Sequence, residues 1–430
     1  MENRKSKKRW ILGVILVLVI SLALYSFFPS GEKEDIPNDL ITQETIAQPL
    51  DHNEPLGKFF EQKILILKPE TASADAPVFF ILGNEAEATA KGLKKLYLAY
   101  GAPENVIFIT AEHRGYGQSI SADADQSSPA YVTVSQALAD YHRVVNVYKE
   151  DFPGPWMAAG YSYGGGLVIN YAYLYPDDVK VILASSAVTY WPFYMSEYDR
   201  QVKINLGDGL YKRLAVHTNN LKPEEPFDDT WFKREFITNA VIGLSQYQSY
   251  QNLLPAFKLL SYLPTGTFVK TMRLVDKYIA KDHGWNTALS FGKQSLSHEE
   301  ALTGKYNWYT WKYQQCHETG TFWVSEDPGG VFPKSEADII NECKIQFGLE
   351  PPAAEASPWN PGMMIPELVV PQIYVIGEND PWKWIGYKPE FEGHDENIFY
   401  AAGGFHCPER YDLELGEKVL SRMLEHLRLE

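Results

Sequence analysis

The sequence has few cysteines and lacks the spacing patterns of metal sites. Its 430 residues include three cysteines, Cys316, Cys343 and Cys407. No Cys-x-x-Cys pair and no His-x-x-x-His pair occurs, so we expect neither a metal ion nor another cofactor. In an oxidising compartment three cysteines still permit one disulfide bond, and Cys316 and Cys343 lie within a single region of the chain.

Positive charge is also scarce. The chain has 39 Lys and Arg residues against 55 Asp and Glu residues, which gives a formal net charge of −16. Proteins that bind nucleic acid present a basic face to the phosphates, and this charge argues against nucleic acid as a partner. Hydrophobic residues make up 45% of the chain and charged residues 22%, which is ordinary for a folded protein.

One long uncharged apolar run, from Trp10 to Phe28, follows a cluster of basic residues at the N-terminus. A run of about twenty apolar residues spans a bilayer as a helix, and the basic flank remains in the cytoplasm. A cleaved signal peptide is the alternative, although its apolar core would be shorter and end in a small-x-small site. We predict a signal-anchor over residues 1–30, a tether over 31–40 and an extracytoplasmic remainder, secreted if the first segment is cleaved.

Short apolar runs alternate with helical patterns in the first part of the chain and again at its end. Runs of this kind are typical of strands that are buried on both faces of a parallel sheet. The alternation predicts an α/β protein with a mostly parallel sheet that is covered by helices on both sides. The strand runs are Pro77–Leu82, Val106–Thr110, Trp156–Ala159, Val179–Ala184, Pro371–Ile376 and Asn397–Ala401, and the clearest amphipathic helices are Thr133–Asp151 and Leu413–Leu427.

The alternation stops near Tyr190 and resumes after Pro366. Between these points the sequence has helical patterns and loops, which indicate an inserted helical cap. The helical patterns are Asp229–Ser245, Gln251–Tyr262, Gly266–Lys281 and Glu299–Gln315. We therefore predict a first part of the α/β domain over 41–190, a cap domain over 191–366, and a second part of the α/β domain over 367–430.

The segment Gly160-Tyr161-Ser162-Tyr163-Gly164 joins an apolar run to a run that can form a helix. This pattern is typical of a nucleophile elbow, where a serine occupies a strained turn between a strand and a helix. The glycines two positions before and after the serine would let the strand and the helix approach each other. The N–H groups of Tyr163 and of Asn84, which follows an early strand, are the expected oxyanion-hole donors.

In α/β-hydrolases the nucleophile is followed in the chain by an acid after a late strand and then by a histidine after the last strand. Asp380 follows the strand pattern 372–376, and His406 follows the strand pattern 398–401. The order predicts that Ser162 attacks a carbonyl, that His406 transfers the proton, and that Asp380 orients the imidazole. The fold class is therefore predicted as an α/β-hydrolase fold with an inserted cap. Glu378, Asp412, His317 and His394 fit these positions less well.

Several further segments have counterparts in one enzyme family. They are Gln48-Pro49-Leu50-Asp51-His52, Gly83-Asn84-Glu85, Glu112-His113-Arg114, Ser162-Tyr163-Gly164-Gly165, Trp311 to Gly320, Cys343 with Phe347-Gly348, Asp380-Pro381-Trp382 and His406-Cys407. Through them the chain resembles the serine exopeptidases that include lysosomal Pro-X carboxypeptidase, dipeptidyl peptidase II and related secreted bacterial tripeptidyl aminopeptidases. The resemblance also pairs Cys343 with Cys316. The sequence departs from the family at Tyr161 and Asn84, where the family usually has glycine.

The resemblance implies hydrolysis of peptide bonds near a chain terminus, with proline before the scissile bond. Trp382 would then form part of an aromatic proline pocket, and Glu85 and Glu318 are the candidates to bind the α-ammonium of a peptide substrate. The segment 175–179 is similar to the bacterial tripeptidyl group, which favours release of N-terminal di- or tripeptides. A Pro-X carboxypeptidase, a carboxylesterase or lipase, and a non-catalytic surface binding protein are the alternatives.

Overall fold

The computed structural model describes residues 40–121, 129–190, 195–224, 226, 228–273, 307–320, 327, 329–352, 357, 359–386 and 395–428. Within these ranges no helix combines the length and the apolar character that crossing a membrane requires. The predicted signal-anchor, residues 1–30, and nearly all of the predicted tether lie outside the described residues.

A single eight-stranded sheet forms the centre of the larger part of the protein, with the strand order β1-β2-β4-β3-β5-β6-β7-β8. The first two strands run antiparallel to their neighbours, and β3 to β8 run parallel to one another. The predicted mostly parallel sheet is confirmed, and its order and directions are those of the α/β-hydrolase fold. The strands are β1 Ile41–Pro49, β2 Phe59–Leu67, β3 Val78–Leu82, β4 Ile107–Ala111, β5 Trp156–Tyr161, β6 Ile182–Ser185, β7 Gln372–Gly377 and β8 Ile398–Ala401.

The central strands are buried along their whole length. Every residue of β3, β4 and β5 is buried. The Phe79 ring stacks on the Phe108 ring with centroids 4.9 Å apart, and on the other face Phe80 meets the edge of Trp156 at 5.6 Å. Continuous apolar strands have no polar face to turn to water, so helices must cover both sides of the sheet.

Four helices belong to the α/β part of the chain: α1 Ala90–Ala99, α2 Val134–Tyr148, α3 Tyr163–Leu174 and α11 Leu413–His426. The sequence did not predict α1, which has three buried residues, Leu93, Leu96 and Tyr97. Further α-helices are α4 Ser196–Leu206, α5 Asp208–Asn219, α6 Asp229–Gln246, α7 Leu254–Leu260, α8 Asn307–Gln314, α9 Glu336–Phe347 and α10 Pro361–Met364. Residues 265–273 are also helical.

The chain divides into two compact units. One contains the described residues 202–224, 226, 228–273 and 329–331 and is built from helices. The other contains the sheet and the remaining described residues, including α8 and α9. The segment 191–366 thus contributes residues to both units, and the domain boundaries at 190 and 366 stay predictions.

The disulfide bond joins two helical segments of the sheet-containing unit. α8 continues into a π-helical turn, Gln315–Thr319, in which Cys316 bonds to Cys343 of α9 with their Cα atoms 5.6 Å apart. Ile339 is buried with both cysteines. The third cysteine, Cys407, is a free thiol and is also buried.

The carboxyl ends of the parallel strands meet at one edge of the sheet. Asn84 follows β3, Ser162 follows β5, Asp380 follows β7 and His406 follows β8. In open α/β sheets this is the edge at which functional loops converge. The fold therefore brings together residues that are far apart in the sequence.

Candidate active site

Ser162 has a strained backbone between β5 and α3. Its φ is 57° and its ψ is −122°, a region that non-glycine residues rarely adopt. The Ser162 N–H donates to the Ser185 carbonyl of β6 at 3.0 Å, which fixes the turn to the sheet. Strain of this kind persists only where neighbouring structure enforces it, and it clusters at functional sites.

The glycines around Ser162 differ in how tightly they are packed. A Cβ at Gly160 would lie 1.9 Å from the Gly164 carbonyl oxygen, and one at Gly165 would lie 2.7 Å from the Ala187 Cβ. A Cβ at Gly164 would meet its nearest atom, the Asn84 Cβ, at 3.5 Å, which is ordinary van der Waals contact. The close approach of strand and helix therefore requires glycine at 160 and 165, whereas the sequence reasoning had chosen 160 and 164.

His406 and Asp380 form a buried pair. The His406 Nδ1 lies 2.9 Å from the Asp380 Oδ2, and the two side chains are 3% and 1% exposed. The Asp380 Oδ1 accepts from the Trp382 N–H at 3.0 Å and caps the 3₁₀ helix Pro381–Trp384. One carboxylate thus caps a helix and orients an imidazole, and the Nδ1–H tautomer makes Nε2 the basic nitrogen.

Two opposing effects act on the pKa of His406. Burial alone lowers it, because the charged form loses solvation. The negative charge of Asp380 and its hydrogen bond raise it, and the net pKa lies well above the usual histidine value. The arrangement stabilises an imidazolium, which is the state that a histidine enters after it accepts a proton from a serine.

The loop after β3 lies beside the beginning of α3. The Asn84 Cβ is the nearest atom to the position that a Cβ on Gly164 would take.

Burial raises the pKa of the Glu85 carboxyl, although a hydrogen bond from its own backbone N–H and the charge of His406 lower it in part. Among the described residues, no donor reaches the buried Glu85 Oε2.

Glu318 is already held by a helix. Its Oε2 accepts from the Val134 N–H at 2.8 Å, at the first turn of α2. Burial raises the pKa of Glu318 to about 7, and the backbone hydrogen bond opposes that shift. Burial is the main cause that raises the pKa of Tyr163, and the charge of Glu318 raises it further, so this carboxyl lies within electrostatic range of the residue after Ser162.

An aromatic wall adjoins His406. Trp382 is buried, and its ring centroid lies 6.5 Å from that of His406 and 5.1 Å from that of Tyr198. The Tyr198 and Phe332 rings pack edge to face, with their centroids 6.0 Å apart. The sequence singled out Trp382 alone, because Tyr198 and Phe332 lie about 180 and 50 positions earlier and belong to no recognisable motif.

Gln314 of α8 is a further residue that sequence reasoning did not select. Its Nε2 donates to the Tyr163 hydroxyl at 2.9 Å, and its Oε1 accepts from the Tyr116 hydroxyl at 2.5 Å. The Tyr163 hydroxyl also lies 3.4 Å from His113 Nε2. Gln314 stands inside the 311–320 segment, so the family resemblance carried a signal for it without indicating its contact.

No group of three or more His, Cys, Asp and Glu side chains that could hold a metal ion occurs in the part of the chain that the structure describes.

Residues 48–209 match the family model described as Serine carboxypeptidase S28. Bovine lysosomal Pro-X carboxypeptidase is 24% identical over 416 residues, which cover 85% of this chain and 82% of the relative. The prolyl tri/tetrapeptidyl aminopeptidase of Streptomyces mobaraensis is 24% identical over 220 residues, which cover 49% of this chain and 43% of the relative. A solved structure of proline iminopeptidase from Mycobacterium smegmatis aligns with a TM-score of 0.42 and 13% identity, covering 90% of this chain and 99% of that one.

The fold, the elbow and these relatives together define a serine peptidase. The match of residues 48–209 to the S28 family model agrees with the resemblance read from the motifs of the chain.

The unequal packing around Ser162 predicts unequal effects of adding a methyl group. We expect Gly160→Ala to cost more than about 3 kcal/mol of unfolding free energy and to abolish turnover, because the new Cβ must displace the backbone that begins α3. Gly164→Ala is the matched control and should change the unfolding free energy by less than about 1 kcal/mol. Urea unfolding of both variants measures the difference, and equal midpoints would contradict the packing described here.

Proposed function

We propose that this protein is a serine exopeptidase that removes di- or tripeptides from the amino terminus of short peptides, cleaving after proline. The observation that carries the proposal is the buried Asp380–His406 pair, which lies at the same sheet edge as the strained turn of Ser162.

The proposed reaction has two halves. The Ser162 hydroxyl attacks the scissile carbonyl while His406 Nε2 accepts its proton, and the resulting imidazolium is stabilised by Asp380. His406 then gives the proton to the departing amine, which leaves an acyl-enzyme on Ser162. A water molecule attacks this ester with His406 again as the base, and the acid product departs from Ser162.

The developing oxyanion would be held by two backbone N–H groups, those of Tyr163 and Asn84. Tyr163 is the first residue of α3, so the positive end of the helix dipole adds to its N–H. The approach of the Asn84 Cβ to Gly164 supports Asn84 as the second donor. The contact of Gln314 with the Tyr163 hydroxyl would hold the first donor in place.

The preference for proline is supported by the aromatic wall of Trp382, Tyr198 and Phe332. A proline side chain is a compact apolar ring, and flat aromatic faces bind it without leaving a polar group unpaired. Trp382 follows Asp380 by two positions, so this wall lies beside the pair that performs the chemistry.

The choice of the amino terminus is supported by Glu85. Its carboxyl lies within electrostatic range of His406, and among the described residues its Oε2 has no donor. An α-ammonium would supply both the missing hydrogen bond and the opposite charge, which would lower the pKa of Glu85. Glu318, held at the first turn of α2, would add negative potential to the same side of the site.

A Pro-X carboxypeptidase is the second candidate. It is favoured by the bovine lysosomal relative, whose match extends over 82% of that protein. Its substrates would place a carboxylate, rather than an ammonium, beyond the scissile bond.

The direction of cleavage can be read from products. We expect the full-length protein, incubated with peptides that have proline at the second, third or penultimate position, to release di- or tripeptides only from free amino termini. Mass spectrometry identifies the fragments, and Ser162→Ala should reduce the rate by about 10⁴-fold or more. Loss of a single carboxy-terminal residue would establish the carboxypeptidase, and hydrolysis of esters without any peptide cleavage would establish an esterase.

A substitution at Glu85 tests amino-terminal recognition. We expect Glu85→Gln to lower kcat/KM for free peptides by about ten- to a hundredfold through KM, because a charge-assisted hydrogen bond is lost. Peptides of the same sequence with acetylated amino termini should stay uncleaved by both wild type and Glu85→Gln. Glu87→Gln is the control, since Glu87 belongs to the same loop, is partly exposed and pairs with Lys63. An unchanged KM for free peptides in Glu85→Gln would refute this role.

We further propose that residues 1–30 anchor the enzyme to the membrane and leave residues from about 41 onward outside the cytoplasm. The proposal is supported by the basic cluster and the apolar run 10–28 of the sequence. The full chain should stay with membranes after alkaline carbonate extraction, whereas deletion of residues 1–30 should release it. Extraction of the full chain into the soluble fraction would contradict the anchor.

A further inference from the structure

One buried carboxylate holds two loops at the carboxyl end of β4. Glu112 directly follows β4 and is 0% exposed. Its Oε1 accepts from the Ala88 N–H at 2.9 Å, and its Oε2 accepts from the N–H groups of Gln118 and Ser119 at 2.8 and 2.9 Å. The Ser119 hydroxyl donates to the same Oε2 at 2.8 Å. The proposed chemistry does not use this side chain.

The four donors explain why an acid is buried here. A buried carboxylate is costly unless hydrogen bonds replace its lost solvation, and hydrogen bonds to an ionised acceptor are about twice as strong as neutral ones. The Lys63 ammonium, on a side chain that is also buried, lies 3.9 Å from the Glu112 Oε1 and adds an opposite charge. Gly117 closes the site, because a Cβ there would lie 2.1 Å from Oε1.

The loop between β3 and α1 carries two residues of the proposed site. Asn84 is the proposed second oxyanion donor, and Glu85 is the proposed partner of the substrate ammonium. The start of the loop is fixed to the framework, because the Gly83 carbonyl accepts from the Tyr141 hydroxyl at 2.9 Å. Both residues therefore lie just after a fixed point of the chain.

Glu112 fixes the other end of this loop through the Ala88 N–H. Within the loop the Asn84 Oδ1 accepts from the Ala86 N–H at 3.2 Å, which forms a compact turn. Three residues separate Asn84 from Ala88. A displacement of Ala88 would consequently move the Asn84 N–H and the Glu85 carboxyl.

We propose that Glu112 is a positioning residue for the loop between β3 and α1. Through its hydrogen bond with Ala88 it fixes the Asn84 N–H and the Glu85 carboxyl. The inference deepens the proposed function and rests on the roles given there to Ser162, Asn84 and Glu85. A catalytic group misplaced by about 1 Å can cost about 10²-fold in rate, so a residue that never touches the substrate affects turnover in this way.

Glu112→Gln separates the two loops that the carboxylate holds. Oε2 accepts three donors and Oε1 accepts one N–H, so the amide oxygen of glutamine should take the Oε2 position. The amide NH2 group then faces the Ala88 N–H, and two donors cannot bond to each other. The variant should therefore release the loop between β3 and α1 and keep the loop of Ser119 in place.

Two measurements on the full-length protein follow the loop and the site. Hydrogen–deuterium exchange of the Ala88 amide, read by mass spectrometry with residue-level fragmentation, should be about tenfold faster or more in Glu112→Gln than in wild type. The second-order rate constant for labelling of Ser162 by a fluorophosphonate should fall by about tenfold or more, because the phosphoryl oxygen of the probe enters the oxyanion hole. Unchanged exchange at Ala88, or an unchanged labelling rate, overturns the proposal.

Ser119→Ala is the matched control. It also removes a hydrogen bond from the buried Glu112 carboxylate, yet it leaves Oε1 on the Ala88 N–H. Its labelling rate should stay within about threefold of wild type even where its Tm falls as far as that of Glu112→Gln. Glu87→Gln, which loses the pair with Lys63, should behave in the same way. Labelling that slows as much in Ser119→Ala as in Glu112→Gln would trace the effect to stability and refute the positioning role.

A double-mutant cycle tests the contact itself. Ala88→Pro removes the donor N–H and keeps the Glu112 carboxylate. Each single variant should slow labelling by about tenfold or more, and the double variant should be no slower than the slower single one, because both changes remove the same hydrogen bond. Effects that multiply overturn the proposal. If Glu112→Gln does not fold, Ala88→Pro decides, and an unchanged labelling rate in that variant is equally contradictory.

Exchange and labelling do not require peptide cleavage, so they separate this inference from the proposed function. The expected changes in a protein that cleaves no peptide would refute the peptidase proposal alone. A wild-type protein that is not labelled would refute the proposed catalytic serine, and exchange at Ala88 in Glu112→Gln would still decide whether Glu112 fixes the loop.

Discussion

The site depends on one strained residue. Ser162 is held at a φ of 57° because β5 and α3 approach each other so closely that the Gly160 backbone has no room for a Cβ beside the Gly164 carbonyl. The hydrogen bond from the Ser162 N–H to Ser185 ties this turn to the sheet. Sheet packing below the turn therefore supplies the free energy that keeps the serine in an unfavourable conformation.

Burial and neighbouring charges shift the pKa values of the titratable groups around Ser162. Burial raises the pKa values of Glu85, Glu318 and Glu409, whereas Asp380 raises the pKa of His406. Asp380 contacts the histidine directly, with its Oδ2 2.9 Å from His406 Nδ1, and is therefore its principal partner. Groups that interact in this way titrate together, and a change at one of them shifts the others.

Much of the fold could be read from the sequence, because the central strands are apolar on both faces. β3, β4 and β5 appear as short uninterrupted runs. The run of β5 predicted the position of Ser162, and the later strand patterns 372–376 and 398–401 predicted those of Asp380 and His406. Edge elements gave weaker signals. Neither the alternating and largely exposed β1 nor α1, with Gly92 and several lysines, was predicted.

The residues that surround the site were harder to predict, because their contacts span long stretches of chain. Tyr198 contacts Trp382 and Gln314 contacts Tyr163, and no local periodicity encodes such pairs. The packing of the elbow was also beyond sequence reasoning. The sequence pattern predicted that position 164 requires glycine, whereas the structure shows that a Cβ at position 165 would clash with Ala187.

The central claim is that Ser162 is a nucleophile activated by His406. Its most direct test is labelling of the native protein with a serine-reactive fluorophosphonate, followed by peptide mapping of the adduct. The account predicts one equivalent of label on the peptide that contains Ser162, and loss of labelling in His406→Ala and in the unfolded protein. Absence of label on the native protein, or an adduct on another residue, would contradict it.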